Sequence, residues 1–68
     1  MISTNLIAQA LRAADIVHSE QQFLNNFWGT RFVFDKKSFK KVEAALKKHG
    51  LDCETQPYFK QWCVQTYA

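Results

Sequence analysis

Glycine and proline are scarce in this chain of 68 residues, which contains two glycines and one proline. That composition differs from linkers and low-complexity tracts, where glycine, proline and serine accumulate, and no internal repeat is evident. No segment approaches the run of about 20 apolar residues that a membrane-spanning helix needs. The first residues lack a basic stretch followed by a long apolar one, so we expect no secretory signal, no membrane association and a cytoplasmic location.

Cysteine is also scarce, and the chain contains two, Cys53 and Cys63. We expect reduced thiols in the cytoplasm, and a disulfide between them is the alternative for an exported protein. Together with His18 and His49 they lack the paired, closely spaced ligands of zinc motifs, so we expect no metal and no cofactor. The sequence also has no glycine-rich phosphate loop, nucleophile elbow or HExxH motif, and we expect no enzymatic activity.

Apolar and aromatic residues are abundant, at 47% and 15% of the chain. This composition is typical of a globular chain, and the length predicts a single small domain over residues 1–68. Ten aromatic residues are many for so small an interior, so we expect some at the surface, facing a protein partner or a second copy of the chain. The net charge of +3 permits a nucleic-acid partner without requiring one.

The N-terminal half predicts a helix from about Thr4 to Trp28, which we expect to break near His18–Ser19. Apolar residues recur at helical spacing, and the stripe continues to Leu24 and Trp28. Ser19-Glu20-Gln21-Gln22 fits a capping box, which favours a new helical start at Ser19. Gly29 then suits the residue after a helix end. The predicted stripe comprises Leu6, Ile7, Ala10, Leu11, Ala14, Val17, Leu24 and Trp28.

A short strand, Arg31–Phe34, and an amphipathic helix, residues 36–49, are predicted next. Aromatic and β-branched residues in a row favour the strand. Asp35 or Ser38 can cap the helix, and its apolar side contains Phe39, Val42 and Leu46. Gly50 followed by Leu51 is typical of a Schellman ending.

The C-terminal tail supports two interpretations. Alternation at Trp62, Val64 and Thr66 favours two strands around a turn near Pro57, whereas the aromatic spacing also fits a helix. The 31–34 strand needs a pairing partner, and the tail is the best one available. We therefore predict an α+β fold with the order helix, strand, helix, hairpin; the alternative is a mainly α fold with a helical tail.

We expect a non-enzymatic binding or regulatory module that acts on a protein partner, of the accessory regulator or inhibitor type. Small proteins of this type include ones made by phages and mobile elements, so such an origin is one option, and a homodimer is a further option. Trp and Tyr are enriched where interfaces gain most of their binding energy. The predicted partner-binding residues are Trp28, Tyr58, Phe59, Trp62 and Tyr67.

The alternative function is nucleic-acid binding by a lysine face on the helix at 36–49. Six of the nine basic residues lie there, within an arc of about 140° on the helical wheel. Lysines on one side neutralise phosphates, although a solvated helix face has the same pattern. Lys36 and Lys37 crowd the positive end of the helix, where stability does not favour them. The lysine face comprises Lys36, Lys37, Lys40, Lys41, Lys47 and Lys48.

Overall fold

The structure, a computed structural model, describes residues 4–25 and 27–67, and leaves the side chains of Asn25, Phe27 and Tyr67 outside that description. It has two α-helices and one antiparallel sheet, which confirms the predicted α+β class. The elements in chain order are α1 (Thr4–Ala13), β1 (His18–Asn25), β2 (Phe27–Phe34), a 3-10 turn (Lys36–Ser38), α2 (Phe39–Lys48), β3 (Thr55–Tyr58) and β4 (Gln61–Tyr67).

The four described strands form two hairpins, in the spatial order β1-β2-β4-β3. Each hairpin pairs consecutive strands, and the inner strands β2 and β4 join the hairpins with Phe32 opposite Val64. The sheet therefore has β1 at one edge and β3 at the other. The predicted strand at 31–34 is the second half of β2, and the tail supplies its partner as expected.

The predicted helix across residues 19–28 is wrong, because this segment forms β1 and the start of β2. Helix α1 ends at Ala13, and Gly29 is a strand residue opposite Phe23 and Tyr67 rather than a helix terminator. The apparent helical stripe also fails beyond α1, since Val17 is 90% exposed. Hairpin pairing outweighs the local helix signals of Glu20 and its neighbours.

The C-terminal hairpin is confirmed, with its turn two residues later than predicted. Phe59 and Lys60 connect the strands, and Phe59 has a positive φ of 55°. Pro57 lies within β3, opposite Trp62. Proline has no N–H to donate, and it is tolerated there because β3 is an edge strand.

The chain contains a structural repeat that its sequence does not reveal, since both halves have the order helix, strand, strand. Helices α1 and α2 each have 10 residues, and each residue of α1 corresponds to the one 35 positions later, as Thr4 does to Phe39. The symmetric strand order β1-β2-β4-β3 places the two units on either side of the β2–β4 contact. Buried residues correspond in pairs: Ile7 with Val42, Ala10 with Ala45, and Leu11 with Leu46.

Both helices end in the same way, and the α2 ending is the one predicted. The N–H of Gly50 donates to Lys47 O (3.0 Å) and that of Leu51 to Leu46 O (2.9 Å), which is a Schellman motif. The equivalent bonds in α1 join Asp15 to Arg12 (3.0 Å) and Ile16 to Leu11 (3.0 Å). Gly50 and Asp15 occupy equivalent left-handed positions, with φ of 70° and 59°.

The core lies between the helices and one face of the sheet. Phe32, Phe34 and Val64 alternate along β2 and β4 and pack against the buried residues of α1 and α2. The hydroxyls of Thr4 and Thr66 are hydrogen-bonded at 3.2 Å, which joins the start of α1 to β4. The opposite sheet face contains the intervening residues, among them Arg31 and Cys63, and we call it the open face.

Candidate functional site

Leu24 and Trp28 form an exposed apolar pair at the end of the first hairpin. They are directly opposed across β1 and β2, and they are 64% and 63% exposed. The hairpin places both side chains on the same side of the sheet, because opposed residues of an antiparallel pair share a face. Two large apolar residues left in water at one place are typical of an interaction surface.

The two edges of the sheet differ in how well they are protected against pairing with a further strand. Strand β3 has four residues, one of which is Pro57, whereas β1 has eight residues and no proline. No described strand covers the outer side of β1. Short strands, proline and charged side chains, especially lysine, are the usual means of preventing a further strand from adding to an edge. Strand β1 is long and contains neither proline nor lysine, although Glu20 is an exposed acidic residue within it, and Leu24 lies near its end.

The other predicted partner-binding aromatics do not join Trp28 in one surface. Phe59 is 93% exposed, but the register places it beyond Gln61, at the opposite end of the sheet from Trp28. Trp62 packs against the core and stacks on Phe39, with 4.9 Å between ring centroids. Tyr58 is half-buried, and the Tyr67 side chain lies outside the described part of the chain.

Tyr58 belongs to a cluster on the open face that sequence reasoning missed. The guanidinium carbon of Arg31 lies 4.4 Å from the ring centroids of both Phe23 and Tyr58. Arg31 Nε donates to Gln65 Oε1 (3.0 Å), and Nη1 donates to Tyr58 Oη (3.3 Å). The cluster draws on β1, β2, β3 and β4, so no local sequence signal could reveal it.

All six side chains of the predicted lysine face are exposed. Lys36 and Lys37 lie in the 3-10 turn rather than in the predicted continuous helix, and the other four lie in α2. Asp35 Oδ1 accepts the backbone N–H of Lys37 (3.3 Å) and so caps the turn that precedes α2. Glu43, the acid at the border of the face, accepts a hydrogen bond from Thr55 Oγ1 (3.1 Å). Within the ranges 4–25 and 27–67, none of these lysines has an ion-pair partner.

The two cysteines are free thiols in different surroundings. Burial raises the pKa of the Cys53 thiol above its ordinary value, and the Asp52 carboxylate adds to the rise. Cys63 is buried on the open face, where Gln56 Nε2 lies 3.8 Å from its sulfur. Among the described residues, three or more side chains of His, Cys, Asp or Glu do not come together as a metal site would require.

Comparison with known proteins gives no match to a family model, a curated protein or a solved structure. None of the helices in the described ranges has the length and apolar character needed to cross a membrane. The structure is a small two-layer α+β fold with two candidate binding surfaces. One is the β1 edge with Leu24 and Trp28, and the other is the lysine face.

Proposed function

We propose that the protein is a non-enzymatic binding module that captures an extended segment of another protein along the outer edge of β1. The unprotected length of β1, beside a β3 edge that is shortened and carries Pro57, is the observation that carries the proposal. A strand added there gains main-chain hydrogen bonds with groups that otherwise bond to water. The protein then acts by occupying its partner, as an accessory regulator or inhibitor does.

Leu24 and Trp28 supply the apolar anchor of this surface. An edge alone gives main-chain hydrogen bonds but little discrimination, so specificity has to come from side-chain contacts beside it. Burying a large apolar side chain contributes about 1.5–3 kcal/mol. Burial of Leu24 and Trp28 by a partner would therefore contribute enough binding free energy to make strand addition selective. Gln21 and Gln22 offer further donors and acceptors along β1 without a net charge.

The proposed location is the cytoplasm, where both cysteines stay reduced. Cys53 and Cys63 are free in the structure, and Cys63 is buried. The two thiols need no oxidising compartment for this fold.

Affinity capture with three forms of the protein tests the proposal. The wild type, a Leu24→Ser/Trp28→Ser double variant and a Phe59→Ser variant are used as bait in lysate of the native host. We expect a protein that the wild type and Phe59→Ser both retain and that the double variant loses at least tenfold. Phe59 is the matched control because it is more exposed than Trp28 and lies at the other end of the sheet.

Two results would contradict the proposal. Equal losses from the double variant and from Phe59→Ser would mean that the captured proteins respond to general apolar exposure. Sedimentation of the free protein as a concentration-dependent dimer that the double variant abolishes would assign the edge to a second copy of this chain.

A further inference from the structure

We propose, independently of capture at β1, that the lysine face binds the phosphate backbone of duplex nucleic acid without reading its sequence. The face lies on α2 and the preceding 3-10 turn. Lys37 and Lys41 line a cavity with His18 and Ser19 at the start of β1, whereas Leu24 lies opposite Trp28 near the end of that strand. The two surfaces are carried by different residues, so each can be tested while the other is left intact.

The repeat within the chain supplies an internal comparison for the lysines. Positions 40, 41, 47 and 48 of α2 correspond to positions 5, 6, 12 and 13 of α1, and all eight are exposed. At these four positions α2 has four lysines, whereas α1 has one basic residue. The α1 residues at these positions are Asn5, Leu6, Arg12 and Ala13.

The comparison separates what the fold requires from what α2 adds. Both helices have the same length, the same C-terminal hydrogen bonds and three corresponding pairs of buried residues, although buried Ala8 of α1 corresponds to exposed Glu43 of α2. Helix α1 meets those requirements without a row of cations. Packing in this architecture does not require a row of cations at these positions, so the charge of the lysine face calls for another explanation.

The arrangement of the lysines also opposes helix stability. Lys36 and Lys37 precede α2 at the positive end of its dipole, where cations cost about 0.3–1 kcal/mol each. Lys36 with Lys40, and Lys37 with Lys41, are like charges at a spacing of four residues, which is also unfavourable. In the part of the chain that the structure describes, no carboxylate forms an ion pair with them. A bound polyanion would relieve this repulsion.

The chemistry of the face indicates which polyanion it fits. Lysine is a flexible point charge suited to phosphate, and the face contains no Arg, Asn or Gln, whose planar groups make bidentate contacts to base edges. Single strands are bound by stacking on exposed aromatic rings, and Phe39, the aromatic residue of α2, is stacked on Trp62 instead. At 1.5 Å per residue, the face extends about 18 Å, a length that holds about ten phosphates of a duplex.

A salt series with defined probes tests this inference. Fluorescence anisotropy is measured with two 20-base-pair DNA duplexes of unrelated sequence and with one of their single strands. We expect equal affinity for both duplexes, weaker binding of the single strand and a fall of about a hundredfold between 50 and 200 mM salt, as for about four phosphate contacts. Lys40→Gln/Lys41→Gln should lower the slope of log K against log salt by about 2.

A control variant outside the lysine face and a membrane probe distinguish duplex binding from the alternatives. Lys60→Gln removes a lysine from the β3–β4 turn and should leave the slope unchanged, and circular dichroism checks that every variant is folded. Absence of duplex binding at 50 mM salt would overturn the inference, as would equal effects of Lys60→Gln and Lys40→Gln/Lys41→Gln. Binding to vesicles of phosphatidylserine in preference to the duplexes would assign the face to a membrane surface instead.

Discussion

Arg31 holds its guanidinium between the rings of Phe23 and Tyr58, with its central carbon 4.4 Å from each ring centroid. This contact joins both hairpins across the open face of the sheet, because Phe23 lies in β1 and Tyr58 in β3. A planar cation between two rings, with hydrogen bonds to Gln65 and Tyr58, stabilises a surface that has no helix over it.

Replacement of Arg31 should therefore destabilise the fold without changing either proposed binding surface. We expect Arg31→Ala to lower the free energy of unfolding by about 2 kcal/mol, and Arg31→Lys by about 1 kcal/mol, since an ammonium cannot stack between two rings or donate in a fork. Urea unfolding followed by circular dichroism measures both. A loss of less than about 0.5 kcal/mol in Arg31→Ala, equal to that of an ordinary surface site, would contradict the assignment.

The repeat predicts opposite effects on stability when each of two equivalent helix ends receives the residue of the other. Asp15 and Gly50 both have positive φ, and a Cβ at Gly50 would meet no described atom within 4 Å, so backbone conformation decides the outcome. We expect Asp15→Gly to stabilise the protein by about 0.5 kcal/mol and Gly50→Asp to destabilise it by about 1 kcal/mol. Thermal unfolding of both variants tests this, and changes of the same sign would show that the two helix ends are not equivalent.

The two tryptophans should behave oppositely when they are removed. Trp62 stacks on Phe39 against the core, so we expect Trp62→Ala to cost about 2–4 kcal/mol through lost packing and a cavity. Trp28 is 63% exposed, so Trp28→Ser should change the free energy of unfolding by about 0.5 kcal/mol or less. Denaturant unfolding of both variants distinguishes them, and a large loss for Trp28→Ser would remove it from the binding surface.

The sequence predicts the fold where local signals agree with tertiary pairing. Helix α2 with its Gly50 ending, the strand at 31–34 and the C-terminal hairpin are confirmed. Strand β1 was missed because its side chains from Ser19 to Gln22 are exposed on both faces of the sheet, so it lacks the alternation of a half-buried strand. Its Glu20, Gln21 and Gln22 also favour a helix locally, and the exposed Leu24 imitates a continuing apolar stripe.

The two candidate surfaces also differ in whether local sequence could predict them. The exposure of the six lysines was predictable because they are close together in the sequence, four in α2 and two in the preceding 3-10 turn. The aromatic surface was not, since whether Trp28 and Phe59 meet depends on strand order, which places them at opposite ends of the sheet. The clustering of Arg31 with Phe23 and Tyr58 also depends on pairing among distant segments.

Cys53 should react slowly with alkylating reagents, because its surroundings disfavour the thiolate that these reagents attack. Burial, and secondarily the Asp52 carboxylate, raises the pKa of its thiol. At pH 8 the folded protein should therefore react with iodoacetamide more slowly than the unfolded chain, and Asp52→Asn should increase the folded rate. Mass spectrometry of the modified Cys53 peptide measures both rates, and an unchanged rate in Asp52→Asn would exclude the carboxylate as a cause.

The same raised pKa gives the stability a pH dependence. The folded thiol holds its proton more tightly than the unfolded thiol does, so its contribution is fully present below the unfolded pKa. It is lost as the pH rises from the unfolded pKa through the folded pKa. Unfolding midpoints measured across that alkaline range should fall less in Cys53→Ser than in the wild type.

Amide hydrogen exchange along β1 tests whether a partner strand adds to this edge, because strand addition needs the outward-facing N–H groups of β1. The protein is compared free and saturated with the partner recovered by affinity capture, with β3 as the internal reference. We expect exchange to slow tenfold or more at the outward-facing amides among residues 19–24, which alternate with those already bonded to β2, while the β3 amides are unchanged. Protection confined to β3 or to α2, with β1 exchanging as fast as in the free protein, would contradict strand addition at β1.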